Sequence, residues 1–161
     1  MLNNIIKLKN NKIKKIQDNL IVMFTDNDIP YIVFGAYITA DWEKRDIEDI
    51  DLMIKKEDEK KVEVLMLQLG YKVANRWAFE TKYQNGDGID IEIRTNFYPI
   101  IADLNEIWDT IKIDGIVTLN PKVHLTYLVS HTLEKIKFKE FDLYYFDEML
   151  NHVKKFREYI K

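Results

Sequence analysis

The segment Ile89-Asp90-Ile91-Glu92-Ile93-Arg94 alternates apolar and charged residues without a break. In an extended strand successive side chains point to opposite faces. The isoleucines therefore share one side and Asp90 and Glu92 the other. Ile47 to Ile54 repeats the pattern, with Ile47, Asp49, Asp51 and Met53 on one face and Glu48, Ile50, Leu52 and Ile54 on the other. Two such strands demand a sheet whose apolar face is covered.

The covering elements are legible from helical spacing. Ile13, Ile16, Leu20, Ile21 and Phe24 predict a helix over Asn10 to Phe24, ended before Pro30. Val62, Leu65, Met66 and Leu69 predict another from Glu57 to Leu69, with Gly70 as its stop. Tyr31 to Phe34 reads as a short buried strand before Gly35, and Tyr71 to Val73 and Ala78 to Tyr83 as strand material. Asn85-Gly86-Asp87-Gly88 is a turn signal that joins the last of these to Ile89 to Arg94 as a hairpin. Leu104 to Ile111 reads as a short helix and Gly115 to Leu119 as a strand. Asn120 as N-cap and Pro121 in the first turn open a helix to about Lys137, and a last helix runs from about Phe141 to Ile160. The plan is α+β, with helices on a mixed sheet. Residues 1–118 form the core and 119–161 a helical C-terminal segment.

Composition narrows the chemistry. The chain has 161 residues, 47% hydrophobic and 32% charged, enough for one domain with a core of its own. The absence of cysteine excludes disulfides, thiolate zinc sites, iron–sulfur clusters and a cysteine nucleophile. Three scattered histidines argue against a poly-histidine metal site. No run of 18 apolar residues and no signal-peptide pattern is present, so an intracellular, cytoplasmic protein is expected. The net charge of −3, from 24 basic and 27 acidic residues, argues against a general nucleic-acid binder. Lys7, Lys9, Lys12, Lys14 and Lys15 read as a solvated helix face, with a phosphate- or nucleic-acid-facing patch as the alternative.

Asp49 and Asp51, two apart on one strand, have α-carbons ~7 Å apart and share a face. They can converge on one hard cation, or on two about 4 Å apart. Should Ile89 to Arg94 lie alongside, three or four carboxylates cluster, an arrangement that raises their pKa values unless a cation is present. The bland alternative is an acidic, solvated sheet face. Gly35, after a buried strand, allows close backbone approach to a phosphate. His131, Glu134 and Lys135 share a helix face that either lines a pocket or meets solvent. His124 and His152 read as structural. Phe138, Phe141, Tyr144, Tyr145 and Phe146 suit helix packing, and Trp42 suits either base stacking or packing at the rim.

The order strand, Gly35, then Asp49-Ile50-Asp51-Leu52 at fourteen positions' distance, then Asp90 on a later strand, resembles the nucleotidyltransferase superfamily. The similar members are small stand-alone enzymes akin to the lincosamide and aminoglycoside nucleotidyltransferases. The resemblance implies a magnesium-dependent transfer of a nucleotidyl group, adenylyl from ATP first among them, to a hydroxyl of a small molecule or protein. Manganese is the alternative ion. Asp49, Asp51 and Asp90 would be the catalytic and metal-holding residues, and Gly35, Ala36 and Arg45 would meet the phosphates. Whether Asp90 or Glu92 is the third acid stays open. Ala36 stands where the family has Gly or Ser, which leaves backbone N–H groups alone for a terminal phosphate. Glu92 stands where look-alikes often carry His. A catalytically degenerate binder, or an antitoxin-like member of a toxin–antitoxin pair, is the other reading. The C-terminal helices could serve the acceptor or a homodimer.

Overall fold

The computed structural model describes residues 2–35, 38, 47–86, 88–96, 107–137 and 143–160. Ala36, Arg45, Trp42, Phe138 and Phe141 lie outside the described residues, as do the side chains of Tyr144 and Tyr145.

Helix α1 (Leu2–Asp26) leads into β1 (Tyr31–Phe34) and β2 (Asp49–Ile54). Helix α2 (Glu59–Gln68) is followed by β3 (Lys72–Arg76), β4 (Glu80–Gln84) and β5 (Asp90–Arg94). Then come β6 (Thr110–Ile113), β7 (Ile116–Leu119), α3 (Pro121–Lys137) and α4 (Leu143–Ile160). The seven strands form one mixed sheet in the order β3-β4-β5-β2-β1-β7-β6. The α+β architecture is the one expected from the sequence.

The alternating strands behave as their period requires. Val33, Ile50, Leu52, Ile54, Ile91 and Ile93 are buried on one face, in a core completed by Ile13, Leu20 and Phe24 of α1 and Val62 and Met66 of α2. Asn10 of α1 is buried too, and its Oδ1 accepts a hydrogen bond from Ile47 N at 3.1 Å, which fixes the helix to the start of β2. Burial of four fully covered isoleucine or leucine side chains on β2 and β5 stabilises the fold by about 1.5–3 kcal/mol each. On the opposite face Ile32, Phe34, Met53 and Leu119 pack with Ile107 and with Val123 and Tyr127 of α3. Helix α3 starts as expected, with Asn120 Oδ1 accepting from Lys122 N at 3.0 Å.

One expectation is corrected. Thr110 and Ile111, read as the end of a short helix, belong to β6, which pairs antiparallel with β7. Asp114 and Gly115 between them have φ of 51° and 84°. Positive φ at both central residues makes a tight hairpin turn whose twist suits the strands.

Candidate active site

Strand β2 lies between β1, antiparallel, and β5, parallel. In the β2–β5 register Asp49 stands opposite Asp90 and Asp51 opposite Glu92. In the next pairing Lys82 of β4 stands opposite Glu92, and Glu80 opposite Arg94. All these side chains share the sheet face that α3 partly covers. The sequence-derived acids from two segments thus come together on neighbouring strands.

Asp51 is deepest. Its position opposite Phe34 puts it against Gly35, at the end of β1. A Cβ on Gly35 would fall 2.0 Å from Asp51 Oδ2, and Gly35 has φ of 72°. Both conditions call for glycine. Its role in the fold is therefore to seat the Asp51 carboxylate, a contact that spacing alone did not reveal.

Two cations run through the acids. Lys82 Nζ lies 3.0 Å from Asp90 Oδ2 and 2.8 Å from Glu92 Oε1. Arg94 Nη2 lies 3.1 Å from Glu92 Oε2 and 3.9 Å from Asp51 Oδ1, while its Nε is 2.6 Å from Glu80 Oε2 but off the axis of a hydrogen bond. Arg94 Nη1 donates to Tyr127 Oη at 3.1 Å, and the guanidinium sits over the Phe34 and Tyr127 rings at 5.6 and 5.7 Å. Arg94 thereby ties β5 to α3. Neither Lys82 nor Arg94 was singled out from the sequence; a four-residue loop over Asn85 to Gly88 pairs Lys82 with Ile91, one residue off the observed pairing with Glu92.

Among the described residues, five carboxylates (Asp49, Asp51, Glu80, Asp90 and Glu92) share this face with two cations, Lys82 and Arg94. The strain is borne unequally. Burial first, and the charge of Glu92 next, push Asp49 up to about 6. Burial works the same way on Asp90, but hydrogen bonds from Gln84 and Lys82 outweigh it and hold Asp90 below the usual carboxylate range. Burial disfavours the charged forms of Lys82 and Arg94, yet their acidic neighbours keep both more firmly protonated than free side chains.

Among the described residues no three His, Cys, Asp or Glu side chains converge closely enough to hold a metal ion by themselves. The donor set instead fits magnesium in its usual protein setting, one or two carboxylates with phosphate oxygens and water completing the octahedron. Asp49 and Asp51, two apart on β2, could supply that pair. Asp90 is engaged by Lys82 and Gln84.

Beside the acids a cleft of about 620 Å³ opens between the β3–β4 hairpin and α3. Glu80 and Arg94 belong to both the cleft and the acidic network. Trp77 and Phe79 form one wall, and His131, Glu134 and Lys135 the other. The helix face whose role the sequence left open is thus a cleft wall. Burial, with Lys135 and Arg94 nearby, brings His131 down to about 4, so it is a neutral hydrogen-bonding group at pH 7. His124 and His152 are structural as read: both are buried, their rings 4.7 Å apart where α3 meets α4. Phe146 departs from expectation, being nearly half exposed.

The sheet order, acidic β2 and β5, and flanking helices define a nucleotidyltransferase-like fold. The family model described as "Uncharacterised nucleotidyltransferase" matches residues 3–156, and the chain belongs to that family. The solution structure of the antibiotic-resistance factor ANT(2'')-Ia is similar over 94% of this chain and 88% of its own, with a TM-score of 0.71 at 11% identity. The lincosamide antibiotic adenylyltransferase LnuA, lincomycin-bound, is similar over 91% and 97%, with a TM-score of 0.66 at 13% identity. ANT(2")-Ia in complex with adenylyl-2"-tobramycin matches over 90% and 89%, with a TM-score of 0.68 at 11% identity. No curated protein matches the sequence. Among the described residues no helix is long and apolar enough to cross a membrane.

Proposed function

We propose that the protein is a magnesium-dependent nucleotidyltransferase that moves an adenylyl group from ATP to a hydroxyl of a small molecule bound in the cleft beside α3. The observation that carries this reading is the gathering of Asp49, Asp51, Asp90 and Glu92 on paired strands, where burial and the charge of Glu92 push Asp49 up to about 6. A like-charge cluster of this kind is costly to the fold and is relieved by a divalent ion. The choice of adenylyl rests on relatives of the same fold, one holding adenylyl-2"-tobramycin and another an adenylyltransferase.

Asp49 and Asp51 would hold magnesium, with manganese as a substitute, against the nucleotide phosphates. The ion supplies charge neutralisation on those phosphates. Asp90, kept ionised by Lys82 and Gln84, accepts the proton of the attacking hydroxyl. The hydroxyl oxygen bonds to the α-phosphorus, the bond from that phosphorus to the bridging oxygen breaks, and pyrophosphate leaves. Gly35 keeps Asp51 in place. His131 and Glu134 are positioned to hydrogen-bond the acceptor. Ala36 and Arg45 remain assigned to the phosphates on the family resemblance alone.

The test is incubation with ATP, magnesium and a panel of hydroxylated small molecules, followed by assay of pyrophosphate and mass spectrometry of the acceptor. Metal-dependent pyrophosphate release with one adenylylated acceptor is expected. A second reading, nucleotide or partner binding without turnover, is favoured by the hold of Lys82 on Asp90 and Glu92. ATP binding with no pyrophosphate across the panel would select it.

A further inference from the structure

Helix α3 carries three kinds of face. Pro121, His124, Leu128 and Thr132 are buried. Tyr127, His131 and Glu134 turn to the cleft. Val129, Leu133 and Ile136 turn outward. On α4, His152 and Phe156 are buried, while Leu143, Phe146, Leu150 and Val153 are outward. These seven apolar side chains are 42% to 76% exposed. Their spacings, four and three on α3 and three, four and three on α4, are those of a coiled-coil seam.

The two seams form one surface. At about 100° per residue, Val129, Leu133 and Ile136 lie roughly 100° round α3 from its buried stripe, and the α4 set lies roughly 140° round from His152 in the same sense. The helices are antiparallel neighbours: His152 Nε2 is 2.9 Å from Pro121 O, and Thr132 Oγ1 is 3.7 Å from Met149 Sδ. Rotations of the same sense on antiparallel helices carry both stripes to the same side of the pair. The resulting face is about 10 Å long on α3, about 15 Å long on α4 and about 20 Å wide, or about 300 Å² per copy. A patch of that size falls within the range found on ordinary monomers, so its area alone names no occupant.

The charges at its margin choose the occupant. Asp147 and Lys154 are seven residues apart along one edge of the α4 stripe, with Leu150 between them, and both are exposed. A two-fold axis through Leu150 runs α4 antiparallel to its copy. It brings Asp147 of each chain to Lys154 of the other, twice, whereas a parallel arrangement would set like against like. The surface is self-complementary, as an isologous interface must be.

We propose that the protein pairs with a second copy of itself through the outward face of α3 and α4, forming a four-helix bundle. The inference stands apart from the catalytic reading. It adds that the helix lining the cleft with His131 and Glu134 is braced from behind by the partner.

Sedimentation velocity on the full chain, from about 1 to 100 μM, tests it. A dimer is expected. Leu150→Glu, at an exposed position, should give a monomer with an unchanged circular dichroism spectrum. Asp147→Lys or Lys154→Asp alone should weaken dimerisation about tenfold or more, and the two together should return it to within about threefold of the parent. A monomer throughout the range leaves the face to a different protein and overturns the proposal. So does a dimer untouched by Leu150→Glu, or a double reversal as weak as the single ones.

Discussion

Strands β2 and β5 carry Ile50, Leu52, Ile91 and Ile93 on one side and Asp49, Asp51, Asp90 and Glu92 on the other. The apolar side is closed by α1 and α2 and its groups are satisfied by packing alone. The acidic side is partly covered by α3, and among the described residues its acids meet the cations Lys82 and Arg94. The same backbone spacing thus serves two ends. One face contributes stability, and the other holds electrostatic tension that a ligand can relieve. Functional sites are where such unrelieved tension is found.

The contrast can be broken by substitutions on each face. Asp51→Asn should abolish nucleotidyl transfer, by about a thousandfold or more, in a steady-state pyrophosphate assay, because a lost ion contact removes several kcal/mol of charge stabilisation. Its thermal midpoint without ligand should hold or rise, since one like charge is gone. Ile91→Ala, directly behind on β5, should do the reverse, costing about 2–5 kcal/mol in denaturant unfolding through a core cavity. If both variants lost stability alike, the two faces would not be serving different ends.

Gly35→Ala joins the faces, since the added Cβ meets a carboxylate and the backbone is left-handed. It should cost about 1–2 kcal/mol from the backbone alone and also displace Asp51. Unfolding and metal-dependent nucleotide binding should both suffer.

The smallest effect is the pH dependence of stability. Asp49 has an ordinary value of 3.8 and stands at about 6 in the fold. A carboxyl raised on folding binds its proton more tightly in the native state. Its contribution is therefore fully present below about pH 4 and is lost as pH rises through about 6. Asp49→Asn should flatten that slope, measured as urea midpoints between pH 4 and 7, by on the order of 1–3 kcal/mol. Magnesium with nucleotide should accordingly stabilise the protein more at pH 7 than at pH 5.

Much of this was legible in the sequence because strand period is local. Ile-Asp-Ile-Glu-Ile assigns faces without any knowledge of neighbours. The pairing of Asp49 with Asp90 was not legible from period alone, because parallel strands are joined by long connections and no turn fixes their register. Family order supplied it instead. Arg94 was overlooked because its partners, Glu80, Asp51 and Tyr127, come from three separate elements. Strand β6 was missed although Asp114-Gly115, between apolar runs, is a strong hairpin signal. Phe146, now on the exposed stripe of α4, was read as packing because helical spacing marks a face without saying what covers it.

The most direct test is calorimetric titration with a non-hydrolysable ATP analogue, with and without magnesium, on the parent chain and Asp51→Asn. Magnesium should tighten binding at least about tenfold in the parent and leave Asp51→Asn unchanged. Equal affinity with and without the ion in the parent, or full magnesium dependence in Asp51→Asn, would contradict the assignment of the acidic face as the cation and nucleotide site.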